Sequence, residues 1–133
     1  MSAPTLILET PYVKLVFHQA DRIVHHELLQ RSGGEELQRA LITGLSVLQK
    51  FKAERWLSDD RQNPVLAEAD ELWLQEVWFP AAERSGCRSC AIVSLRKEQK
   101  HPPLQGRLTV ATFTDPLLAF RWLAPPTQFA RAS

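Results

Sequence analysis

Cysteine, methionine, tyrosine and glycine are all scarce in these 133 residues: two, one, one and five. So few cysteines exclude a disulfide scaffold as the source of stability. A chain long enough to build its own core, with two thiols, fits a reducing, cytoplasmic setting. Long apolar runs are absent too. None approaches the roughly 18 residues that a membrane span needs. No charge dominates, since 16 Lys+Arg against 15 Asp+Glu leave +1, which argues against a dedicated nucleic-acid binder. The opening residues, Met1 to Thr5, place no basic segment before an apolar core, so no signal peptide is expected. Internal repeats and low-complexity segments are missing. What remains is a globular composition, 44% hydrophobic and 23% charged. The length predicts a single domain over 1–133, with a core of about residues 5–124 and a tail at 125–133.

The N-terminal third reads as strands. Thr5 to Glu9 is short and apolar, and Thr10 with Pro11 breaks it. From Tyr12 to His18, Val13, Leu15 and Phe17 alternate with Lys14, Val16 and His18, the pattern of a half-buried strand. After a short polar link, Arg22 to Leu28 resumes with β-branched residues and histidine, which predicts an antiparallel hairpin.

Helices follow. Ser32, Gly33, Gly34 and Glu35 fit a capping box, with Ser32 as the cap. Leu37, Leu41, Gly44, Leu45, Leu48 and Phe51 then recur at helical spacing and should lie on a sheet. Gly44 inside that stripe costs about 1 kcal/mol against alanine, so a close helix–sheet approach is expected there. Glu54 to Ser58 is a strand. A second helix is predicted from about Leu66 to Arg84, with Leu66, Ala69, Leu72, Trp73, Val77 and Trp78 as its apolar stripe. Pro80 must kink or restart it, because proline lacks the amide and crowds the preceding turn. Gly86 is its stop. Cys90 to Leu95 reads as a central strand covered on both faces, and Arg96 to Gly106 as a loop. Leu108 to Phe113 is a strand, and Asp115 with Pro116 starts a last helix. The order is β-β-β-α-β-α-β-loop-β-α. Alternating strands and helices in the later half favour parallel pairing.

Few residues form a reaction centre by type and spacing. Cys87 and Cys90 make a CxxC, but redox chemistry needs one thiol at a helix N-terminus, and here the pair leads into a strand. Zinc would need two further ligands. His25 and His26 are adjacent on a strand and face opposite ways. His18, His25, His26 and His101 include no base beside a nucleophile elbow. Asp59, Asp60 and Arg61 follow a strand, where open α/β sheets hold ligands. The same three residues also satisfy one another as a turn. Arg96, Lys97, Lys100, His101 and Arg107 form a basic loop, read as solvated surface. Trp56, Trp73, Trp78 and Trp122 are read as mostly core, with any exposed one available to anchor a partner.

The stretch from Trp56 to Asn63, the segment from Ala69 to Pro80, Gly86, Cys90 to Val93, and Phe113 to Leu123 together resemble a family of small bacterial STAS-like proteins. These are similar to anti-sigma-factor antagonists and distantly to CRAL-TRIO lipid-binding modules. The resemblance covers roughly residues 5–124. It implies an α/β fold: a STAS-like mixed sheet of about five strands, helices mainly on one face, and an N-terminal antiparallel hairpin. It also implies action by binding a protein, another or its own copy in a homodimer, without enzymatic activity or cofactor. In the STAS relatives a serine at a helix N-terminus is phosphorylated. Here Ser58 precedes the acids instead, which departs from that pattern. The expected binding residues are Ser58, Asp59, Asp60 and Arg61, with Trp73, Trp78 and Phe79 as interface candidates. The alternative expectation is a small-ligand site, for a lipid or an anion, at the carboxyl ends of the strands.

Overall fold

The computed structural model describes residues 3–63, 65–95 and 106–124. The basic residues Arg96, Lys97, Lys100 and His101, and the expected tail, lie outside them. Six strands form one mixed sheet: β1 (Thr5–Glu9), β2 (Val13–His18), β3 (Ile23–Leu28), β4 (Arg55–Asp59), β5 (Ser89–Val93) and β6 (Thr109–Phe113), side by side in chain order. Strands β1, β2 and β3 pair antiparallel, whereas β3, β4, β5 and β6 run parallel. The sheet has the six strands read along the chain, against the about five that the resemblance implies, and β1 joins β2 through a bulged register between Leu6 and Leu8.

Helix α1 (Gly34–Lys50) crosses from β3 to β4. A helical rod over 68–84 crosses from β4 to β5. It consists of α2 (Glu68–Trp73), a π-helical turn (Leu74–Trp78) and α3 (Phe79–Arg84). Both crossovers pack on one face of the sheet. There, Leu37, Leu41 and Leu48 meet Val24, Trp56 and Cys90, and Trp78, Phe79 and Ala82 join them. The last helix, α4 (Pro116–Leu123), covers the other face, with Ala119 and Leu123 on Ile23, Leu57, Ala91 and Val93. Odd and even strand residues therefore feed two separate cores, as period-two alternation requires. Among the described residues no helix is long and apolar enough to cross a membrane.

Local signals place several boundaries. The Asp115 side chain accepts from the Leu117 amide at 2.9 Å, with Pro116 in the first turn of α4. Gly86, at φ 105°, ends the rod in a conformation that suits glycine. The capping box does not form. Gly33 is the cap residue of α1, and the Ser32 hydroxyl is buried with no hydrogen-bond partner among the described residues. The cap comes from the rod instead: Asp70 Oδ1 accepts from the Gly34 amide at 2.9 Å. A Cβ on Gly33 would overlap the Asp70 carboxylate, so glycine is what lets the acid dock.

At Pro80 the α-helical pattern restarts, one of the two outcomes expected of it, as α3 begins at Phe79. The proline sits in the first turn of α3, where its missing amide is not needed, directly after the π turn. One extra residue per turn also shifts the buried face. Asp70, Trp78, Phe79 and Ala82 point inward, while Leu72 and Val77, expected in the stripe, are exposed. Trp78 and Phe79 are therefore core residues and offer no interface from this position. Trp73 is partly buried against the same core.

Candidate functional site

On the helix-covered face of the parallel strands, running towards their carboxyl ends, β3 contributes His26 and Leu28, β4 contributes Trp56 and Ser58, and β5 contributes Cys90 and Ile92. All six border one cavity beneath α1 and the rod. The cavity measures about 40 Å³, room for roughly three waters. Its walls are apolar and aromatic: Leu37 and Leu41 from α1, Leu66 from the segment before α2, Leu74 and Trp78 from the π turn, and Phe79. Its polar end is the cluster of His26, Ser58 and Asp60.

That cluster is a directed relay. In the parallel register His26 lies opposite Ser58. The Trp56 indole N–H donates to His26 Nδ1 at 3.2 Å. An indole nitrogen is only ever a donor, so the ring hydrogen of His26 sits on Nε2. That nitrogen is 3.3 Å from Ser58 Oγ and 3.5 Å from Asp60 Oδ1. The Ser58 hydroxyl in turn donates to Asp60 Oδ1 at 2.9 Å. Hydrogens thus point from tryptophan through histidine and serine towards the carboxylate. A serine nucleophile needs the reverse, with its hydroxyl donating to an unprotonated imidazole nitrogen.

The four expected binding residues divide between the faces of the sheet. Ser58 and Asp60 join the cavity. Asp59 and Arg61 pair on the opposite side, with Arg61 Nε on Oδ1 at 2.9 Å and Nη2 on Oδ2 at 2.7 Å. The Arg61 amide also reaches Asp59 Oδ1, at 3.2 Å, so this pair is a self-satisfied turn. Burial alone would raise the Asp59 carboxyl, but the hydrogen bonds and charge of Arg61 outweigh it and hold the carboxyl below its ordinary range. Near it, His25 and His18 form a histidine pair, Nδ1 to Nε2 at 3.0 Å.

Cys87 and Cys90 are free and buried. Burial pushes the Cys87 thiol up to about 12 and the Cys90 thiol well above its ordinary value, which disfavours the reactive thiolate. Among the described residues no group of three metal-ligating side chains converges. His26 is the site residue that sequence reasoning passed over. Its signal was that it faces away from His25; what assigns it a role is the β3–β4 register, which spacing along the chain does not carry. No family model, no curated protein and no solved structure matches this chain.

Proposed function

We propose that this chain is a non-enzymatic, STAS-like binding module of the cytoplasm whose working part is the cavity running towards the strand ends. The observation that carries this reading is the cavity itself: an apolar, aromatic-walled space with one polar cluster at its end, towards the carboxyl ends of parallel strands. Such strand ends are where open α/β sheets hold ligands, and pockets of that character hold small molecules. The direction of the His26–Ser58–Asp60 relay supports binding over nucleophilic catalysis. The buried, protonated thiols of Cys87 and Cys90 suit a reducing compartment.

The small-ligand reading therefore stands ahead of the protein-partner reading. For the latter the structure offers a surface other than Trp78 and Phe79, namely Leu117, Leu118 and Trp122, which lie exposed along α4.

A thermal-shift panel of short-chain amines, alcohols, carboxylates and hydrocarbons tests the proposal, because a ligand that binds only the native state raises Tm. At least one class should raise it in the wild-type chain and not in Ile92→Phe, which fills the cavity. No response to any class overturns the reading, as does an equal response in Ile92→Phe.

A further inference from the structure

Resting on the reading of the cavity as a ligand site, we propose that it selects a small alkylammonium ion, with Asp60 as the counter-charge and the Trp56, Trp78 and Phe79 rings as its wall. The hydrogen-bond census of the wall points there. The Trp56 N–H is committed to His26 Nδ1, and the Trp78 N–H to the Leu41 carbonyl at 3.2 Å. The His26 Nε2 hydrogen faces Ser58 and Asp60, and the Ser58 hydroxyl is committed to Asp60 Oδ1. Cys90 adds only a thiol, a weak donor. The wall thus has no strong donor left for a ligand. It retains acceptors: among the described residues nothing donates to Asp60 Oδ2, and this side chain is 21% exposed where His26 is 4%. Asp60 accordingly stands at the mouth, reachable from solvent and facing inward.

A ligand entering here must bring hydrogens and take acceptors. A carboxylate brings no hydrogen, and a carboxylate or phosphate meets a like charge in Asp60, which argues against an anion here. An alcohol brings one neutral donor. An ammonium group brings up to three donors and the opposite charge, and charge-assisted bonds are the stronger ones.

The aromatic wall adds a second preference of the same sign. The Trp56 and Trp78 rings stand at 69° with centroids 4.8 Å apart, and Trp78 and Phe79 at 74° and 5.2 Å. A ring attracts an ammonium group through its face and not its edge, so each ring face bordering the cavity would strengthen that preference. The cavity's size restricts the occupant to a few non-hydrogen atoms, so the ligand class is a short alkylammonium or the end of a longer one.

The test compares propylammonium chloride, 1-propanol and sodium propionate at matched ionic strength, read by thermal shift and by quenching of tryptophan fluorescence. Propylammonium should bind about tenfold more tightly than propanol, the difference that one charge-assisted bond supplies, and propionate should leave Tm at the sodium chloride baseline. Asp60→Asn keeps an Oδ1 acceptor for Ser58 and removes the charge. It should abolish the preference for the amine, so that propylammonium and propanol bind this variant with similar affinity. Propanol or propionate binding as tightly as propylammonium to the wild-type chain overturns this inference and leaves the cavity a ligand site. So does an undiminished amine preference in Asp60→Asn. Silence from all three compounds overturns the inference and, together with silence across the wider panel, the proposed function as well. The wild-type comparison needs no variant, so a poorly folding Asp60→Asn leaves the test intact.

Discussion

Trp56 has room for its ring only because residue 44 carries no side chain. A Cβ on Gly44 would overlap the indole, with Cζ3 2.7 Å away, and Trp56 is fully buried. The same ring holds His26 in its tautomer and walls the cavity, so one glycine on α1 positions the site on β4. Gly44→Ala gains about 1 kcal/mol of helix propensity, but forcing a methyl group into a filled core costs about 1–3 kcal/mol. Net destabilisation is expected in urea unfolding, and the His26–Trp56 hydrogen bond should weaken, visible as a shift of the Trp56 indole N–H resonance. A more stable Gly44→Ala would mean that the ring has slack. His26 carries the complementary lesson. Its residue type is plain in the sequence, yet its role is set by Trp56 and Ser58 on a neighbouring strand.

For an element, α1 shows how a helix end can be finished from elsewhere. Its first turn carries Glu35 and Glu36, which suit the positive end of the helix dipole, but its cap hydrogen bond comes from Asp70, 36 residues downstream. Asp70→Ala should cost about 0.5–2 kcal/mol, the usual value of a cap. It should also speed hydrogen exchange at the Gly34 amide. Gly33→Ala should cost a similar amount by displacing the same carboxylate. The double variant should then be no worse than the worse single one, since both remove one interaction. Full additivity in that cycle would show that Asp70 acts elsewhere. The rod behaves in the same way. Pro80 announces a disturbance, and the π turn absorbs it by rotating Trp78 and Phe79 inward, where they become two walls of the cavity.

At the scale of the whole molecule, the histidine-bearing face of β2 and β3 ties stability to pH. Burial first, then the charges of His18, His26 and Lys14, hold His25 down to about 4 from 6.5, against a smaller pull from Asp59. Burial also lowers His18, opposed by Asp21. Both imidazoles take up a proton readily only in the unfolded chain. Stability is therefore fully present above 6.5 and falls as pH drops towards 4, because the unfolded state binds the extra protons. The Asp59 carboxyl, held low by Arg61, contributes above the ordinary carboxylate range, and that part is lost at still lower pH. Urea unfolding at about pH 7 and about pH 4.5 should differ by on the order of 2 kcal/mol, and His25→Leu should reduce that difference by about half or more. An unchanged difference in His25→Leu would place the acid sensitivity in other groups.

Strand and helix positions were legible along the chain because they depend on periodicity and on local punctuation. The alternation of Val13, Leu15 and Phe17, the helical spacing of Leu37, Leu41 and Leu48, Asp115 with Pro116, and Gly86 all act within a few residues of where they stand. The same short range made the Asp59–Arg61 turn readable. Contacts between distant segments were not legible. The Asp70 cap replaced Ser32, the π turn rephased the second helix, and the β3–β4 register joined His26 to Ser58. By itself, then, the sequence determined which segments become strands and helices and, outside the rod, which face of each is apolar. Only the tertiary structure decided which polar groups meet, because hydrogen-bond partners are set by register and by packing across tens of residues, distances over which local pattern carries no information.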